Sequence, residues 1–258
     1  MSRTEYARQV KQELYGEQRS AVEGTDPEFS AIKERLVYGE IYPHIHLDAK
    51  LRELLILAVA TTNQTMGEVS VHTQAALQAG AEPAEIREAV YHCAPYIGLG
   101  KAEQAVQAVD QVLEQRGIQL PLERAGTVTE EDRLEKGLSA QKAIFGESID
   151  AMRAAAPEDQ KHIQDYLTAY CFGDFYTRGH LDLKQRELLT FCILCAQGGC
   201  ENQVRAHIGG NAAVGKGKAV LLDALTVCLP YVGFPRTLNA LSCLNEVLPE
   251  PQKESLRN

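Results

Sequence analysis

The decapeptide His46-Leu-Asp-Ala-Lys-Leu-Arg-Glu-Leu-Leu55 returns as His180-Leu-Asp-Leu-Lys-Gln-Arg-Glu-Leu-Leu189, with eight of ten positions identical at an offset of 134 residues. The register holds beyond it. Tyr38-Gly-Glu-Ile-Tyr42 aligns with Phe172-Gly-Asp-Phe-Tyr176, and Leu14-Tyr-Gly-Glu17 aligns more loosely with Ile144-Phe-Gly-Glu147. One inserted residue then moves the offset to 135. His72 falls on His207, Gly80 on Gly215, and Cys93-Ala-Pro-Tyr-Ile-Gly98 on Cys228-Leu-Pro-Tyr-Val-Gly233. The repeating unit is about half the chain, which excludes a solenoid of short stacked repeats and predicts one fold built twice.

The chain of 258 residues is long enough to bury a substantial core as two small domains or one fused body. No run approaches the roughly 18 apolar residues of a membrane span, and the polar start lacks the apolar core of a signal peptide. A net charge of −9 argues against a general nucleic-acid binder. Seven cysteines, an odd number, read as free thiols in a reducing cytoplasm rather than a disulfide framework.

The pattern is helical throughout. In residues 48–62 apolar side chains at 51, 54, 55, 58 and 59 form the stripe of an amphipathic helix. Asp48 and Asp182 are placed to cap equivalent helices. A turn near 64–67 leads to a helix carrying His72 and ended by Gly80. Pro83 opens the next helix, Pro95 breaks it, and Gly98 admits a last helix reaching about Gln115. The second copy should repeat this order through Val247. The expected division is 1–117, a linker at 118–130 rich in turn residues, and 131–258, with cores at 38–115 and 172–247.

The polar residues present in both copies are Asp48/Asp182, Lys50/Lys184, Arg52/Arg186, Glu53/Glu187, His72/His207 and Tyr96/Tyr231. Glutamate and histidine lie 19 or 20 residues apart, on successive helices across a turn. A carboxylate orienting an imidazole is equipment for moving a proton, although structural ion pairs and core histidines would use the same residues. The Arg-Glu-Leu-Leu helix, the histidine followed by Ala-Ala and a helix-ending glycine, and Pro-Tyr-Val-Gly-Phe-Pro235 followed by Leu-Asn-Ala-Leu241 together resemble the carboxymuconolactone decarboxylase family, which includes alkylhydroperoxidase D-like proteins. The resemblance spans most of the chain. It implies two all-helical domains of that type in tandem, and a homotrimer with pseudo-sixfold character.

The peroxidase branch of that family uses a Glu, a Cys-x-x-Cys pair and a His. The matching positions are Glu53, Thr65, Glu68 and His72 in the first copy, and Glu187, Cys200, Gln203 and His207 in the second. The thiol pair is incomplete in both, so a two-thiol cycle would need another partner for Cys200, such as Cys195. A helix N-terminus and a nearby imidazole would favour the Cys200 thiolate, but an inert cysteine is the expectation. Glu68, four residues before His72, would hold the imidazole and favour its cation, whereas Gln203 is neutral. His44-Ile-His46 lacks the further ligands that zinc wants.

Three functions fit these residues. The first is a cofactor-free lyase acting on a small carboxylated lactone or related acid, the substrate class being implied by the resemblance. His72 or His207 would donate the proton and Glu53 or Glu187 would orient it. Arg52 or Arg186 would bind a carboxylate, and Tyr96 or Tyr231 would steady the developing oxyanion. The second is a thiol-dependent hydroperoxidase using Cys200. The third is a catalytically silent oligomeric scaffold or ligand-binding protein.

Overall fold

A computed structural model describes residues 1–16 and 22–250, which contain helices and no strand. The first repeat runs through α1 (Arg3–Tyr15), α2 (Pro27–Leu36), α3 (Tyr42–His44), α4 (Ala49–Asn63), α5 (Met66–Gln78), α6 (Pro83–Tyr91), α7 (Ala94–Ile97) and α8 (Leu99–Gln115). The second comprises α9 (Arg133–Phe145), α10 (Ser148–Ala155), α11 (Lys161–Tyr166), α12 (Leu183–Gln197), α13 (Glu201–Ala213), α14 (Lys218–Val232) and α15 (Phe234–Val247). Between them the chain from 116 to 132 is irregular, tied to the second repeat by Gly179 N–H donating to Ala125 O at 3.0 Å.

The two central helices, α4 and α12, pack against each other across the repeats. Both are capped as their aspartates demand: Asp48 accepts from Leu51 N–H and Asp182 from Gln185 N–H. Helix α4 is buried on more than the single apolar face that its periodicity predicts. All ten residues from Glu53 to Thr62 are buried, because the second repeat covers the face that a lone domain would expose to water. One apolar core therefore runs through both repeats, from Leu54 and Ile56 to Phe191 and Ile193. The helix break at Pro95 occurs, but Pro230, its equivalent, sits inside the continuous α14.

Two π-helical segments, Val37–Ile41 and Leu167–Tyr176, precede the central helices. A π-turn is slightly wider than an α-turn and re-aims the side chains that follow it. Each is crossed closely by the first helix of its repeat. A Cβ on Gly39 would lie 2.3 Å from Arg3 O, and one on Gly173 would lie 2.3 Å from Arg133 O, so only glycine admits the crossing. The result places Tyr42 and Tyr176 at equivalent positions facing α4 and α12.

Candidate active sites

Each repeat assembles a Tyr–Glu–His triad in its interior. In the first, Tyr42 Oη donates to Glu53 Oε1 at 3.1 Å and His72 Nδ1 lies 2.7 Å from Glu53 Oε2. In the second, Tyr176 Oη donates to Glu187 Oε1 at 2.7 Å and His207 Nδ1 lies 2.9 Å from Glu187 Oε2. The glutamates are fully buried, so each depends on these bonds to satisfy its carboxyl oxygens away from water. The helices thus bring each predicted Glu–His pair into direct contact. The tyrosines were not foreseen as site residues, although both stand 11 positions before their glutamate and the repeat alignment contains them.

Around this shared core the sites diverge. His72 is 1% exposed and sits between two carboxylates, with Nε2 3.4 Å from Glu68 Oε2. Arg52 Nε donates to Glu53 Oε1 at 3.2 Å while its guanidinium stacks 3.8 Å over the Tyr42 ring. Lys33 Nζ meets Glu68 Oε1 at 2.6 Å, where both side chains are about 30% exposed, so the cluster reaches solvent through Glu68. Burial opposes the imidazolium, yet Glu53 and Glu68 outweigh it and raise the His72 pKa. Burial likewise opposes ionised Glu53, but His72 and Arg52 hold its pKa below the ordinary value. His72 and then, against some burial, Lys33 bring Glu68 down to about 2. With His72 protonated, the first site holds an imidazolium, two carboxylates and two further cations, an excess of one positive charge.

The second site is less charged. His207 is 11% exposed, and its ring packs edge-on to Phe145 at 5.3 Å. Phe145 and Phe172 occupy the places of Tyr15 and Tyr38. Arg186 is not brought to Glu187. It is buried beneath the repeat interface, where Nη2 donates to Glu88 Oε2 at 3.0 Å and to the carbonyls of Arg178 and Gly179 at 2.9 and 3.1 Å. Arg178 Nε also reaches Glu88 Oε1, at 2.8 Å. Two guanidiniums thus share one carboxylate from the other repeat, which leaves Arg186 no role at its own histidine. Gln203 is exposed on α13.

Cys200 turns away from His207. Its thiol donates to Leu194 O at 3.3 Å and lines a separate cavity of about 210 Å³ with Cys195, Cys243 and Arg236. Burial, then Glu201 and Cys243, push the Cys200 pKa up, against the thiolate that a helix N-terminus would favour and in the direction of an inert cysteine. His46, of the sequence pair His44-Ile-His46, donates its backbone N–H to Asp223 Oδ2 at 2.9 Å.

Tyr96 and Tyr231 cross between repeats. The Tyr231 ring stands edge-on to His72 at 5.3 Å, and Tyr96 stands edge-on to His207 at 6.3 Å. Tyr96 Oη hydrogen-bonds Tyr176 Oη and Thr190 Oγ1, each at 3.0 Å, and His92 Nε2 approaches Thr190 Oγ1 at 2.9 Å. At the places equivalent to Thr190 and His92 the first site has Ile56 and Val227, both fully buried.

A carboxymuconolactone decarboxylase family model matches residues 27–111 and 161–246, about two thirds of the chain and once per repeat. The 4-carboxymuconolactone decarboxylase of Acinetobacter baylyi (strain ATCC 33305 / BD413 / ADP1) is 26% identical over 121 residues, covering 46% of this chain and 90% of that protein. Nitrosuccinic acid decarboxylase npaB of Metarhizium robertsii (strain ARSEF 23 / ATCC MYA-3075) is 34% identical over 88 residues, 34% of this chain and 61% of the relative. The fold matches the crystal structure of a protein assigned as a gamma-carboxymuconolactone decarboxylase subunit from Burkholderia xenovorans LB400. Its TM-score is 0.56 at 20% identity, over 93% of this chain and 95% of the other.

Proposed function

The chain belongs to the carboxymuconolactone decarboxylase family, and on that premise we propose that it is a decarboxylase whose working site is Glu53–Glu68–His72 in the first repeat. The substrate is a small acid whose carboxylate sits on a carbon conjugated to a carbonyl or nitro group. Both named relatives act on acids of this kind, in which the electron pair left by departing carbon dioxide is delocalised onto oxygen.

The observation that carries the reading is His72 held between two carboxylates. Decarboxylation breaks the bond between carbon and carboxylate, releases carbon dioxide and leaves an enolate or nitronate that must be protonated on carbon. An imidazolium delivers that proton, and the nearby carboxylates keep it charged near neutrality. Glu53 fixes Nδ1, so Nε2 is the delivering atom. The 3.4 Å contact with Glu68 is long enough for substrate to compete for that nitrogen, and Glu68 reaches solvent from which the proton is replaced. The excess positive charge favours an anionic substrate. In the second site no arginine stands on the glutamate, because Arg186 is committed to Glu88.

Turnover of 4-carboxymuconolactone and of nitrosuccinic acid by the parent, His72→Ala and His207→Ala proteins tests the reading. His72→Ala should lose about 10²–10⁴-fold in kcat, the usual worth of a positioned acid or base. His207→Ala should keep turnover within about threefold, the scatter allowed for a change outside the reacting atoms. The reverse pattern moves the activity to the second repeat.

For the assembly we infer a homotrimer in the cytoplasm. Exposed apolar side chains recur at equivalent places: Phe29 with Ile163, Ile32 with Tyr166, and Leu99 with Phe234. Exposed apolar groups repeated by internal symmetry suit a ring in which the same contact is made by both halves. Light scattering should give about three times the chain mass of 28.4 kDa, and a monomeric mass would overturn the inference.

A further inference from the structure

Tyr231 belongs by sequence to the second repeat and by position to the first. It lies on α14, which packs against the π-helical segment Val37–Ile41, and its ring meets His72 edge-on at 5.3 Å. Its hydroxyl is buried and has no hydrogen-bond partner. Besides His72, the ionisable groups acting on it are Tyr42, Tyr38, Glu53 and Glu68.

The equivalent phenol shows how this chain satisfies such a group. Tyr96 Oη, crossing the other way, is held by Thr190 and Tyr176. In place of Thr190 the first site offers Ile56, which can neither accept nor donate, and Tyr42, the equivalent of Tyr176, donates to Glu53 and makes no hydrogen bond with Tyr231. A buried donor left unmade is costly, and folded proteins keep few of them without a reason. Phenylalanine would fill the same volume without that cost, as Phe145 and Phe172 do in the second site. The phenol also stays neutral and able to donate over the whole physiological range, since burial and its acidic neighbours push its pKa far up.

We propose that Tyr231 is a catalytic residue of the first repeat's site, contributed by the second repeat, and that its hydroxyl donates a hydrogen bond to the substrate oxygen that becomes negative as carbon dioxide leaves. This rests on the decarboxylase reading above. The bond between carbon and carboxylate breaks, the electron pair moves into the conjugated carbonyl or nitro group, and Tyr231 stabilises that oxygen without giving up its proton. The His72 imidazolium then protonates carbon and is recharged from solvent. A donor already in place when charge develops requires no reorganisation during the reaction. The second repeat thereby completes a site whose acid lies in the first.

Tyr231→Phe, His72→Ala and the parent are compared on 4-carboxymuconolactone and nitrosuccinic acid, with thermal unfolding of each. Tyr231→Phe should lower kcat about 10²–10³-fold, the usual effect of removing one oxyanion donor. Its Tm should hold or rise, because the hydroxyl has no bond within the protein to lose. If Tyr231→Phe keeps parental turnover while His72→Ala is dead, the donor role is wrong and the decarboxylase site stands. If both variants keep parental turnover, the first-repeat site itself is wrong. A fall of several degrees in Tm for Tyr231→Phe would make the hydroxyl structural and overturn the proposal. Failure of the parent on both acids would overturn the substrate class and leave Tyr231 without an anion to serve.

Discussion

The first and second sites share a Tyr–Glu–His triad to within a few tenths of an ångström and differ in nearly everything that touches it. One is ringed by phenols, two carboxylates and cations. The other is lined by Phe145, Phe172 and a closed hydroxyl cluster at Thr190. The triad is what the fold supplies, because it is fixed by the π-segment, the central helix and the next helix of either repeat. Charge and unmet hydrogen-bonding capacity are supplied by neighbours, several of them from the other repeat. A Glu–His pair alone therefore does not identify a working site, and its surroundings must be examined as well.

The comparison can be tested by making one site resemble the other. The loss of turnover in His72→Ala, without an equal loss in His207→Ala, is the largest expected effect. Next is Glu88→Ala, which strands the buried Arg186 and should cost about 3–5 kcal/mol in denaturant unfolding. A cost below about 1 kcal/mol, nearer that of an exposed ion pair, would mean that Arg186 has swung onto Glu187 and copied the Arg52–Glu53 contact. The smallest effect comes from Glu68→Gln, which gives the first site the residue found at Gln203. It removes one of the two carboxylates that raise the His72 pKa, so the alkaline limb of kcat should move to lower pH. An unmoved limb would separate His72 from the proton transfer.

The same shifts set the pH range of stability. His72 has a folded pKa above its ordinary 6.5, so its contribution is complete below 6.5 and is lost as pH rises through the folded value. Glu68 has a folded pKa of about 2 against an ordinary 4.5. Its contribution is present above 4.5 and is lost as pH falls toward 2.

Much of the fold was legible because helical periodicity, capping aspartates and helix-ending glycines act locally. The decamer match identified the duplicated helix and its glutamates, and the extended alignment added both histidines. What escaped was long-range. The π-segments carry no local signature, so Tyr42 and Tyr176 gained their role only when a crossing helix fixed their direction. Arg52 and Arg186 stand in nearly the same sequence context yet have different partners, because Glu88 competes for Arg186 from another repeat. Cys200 stands at a helix N-terminus as expected, but three-dimensional packing buries it in a different cavity from the histidine. The full burial of α4 was likewise hidden, since the helix that covers its second face lies more than a hundred residues away.

The exchange of Tyr96 and Tyr231 also bears on how such a chain can evolve. In a ring of identical single-unit subunits, a substitution at a shared boundary alters every site alike, so a gain at one is a gain or a loss at all. Covalent fusion removes that constraint. Ile56 and Thr190, or Val227 and His92, can drift independently, because each is encoded once. A duplicated gene can then retain the inherited triad in both places while one half specialises in chemistry and the other in holding it together.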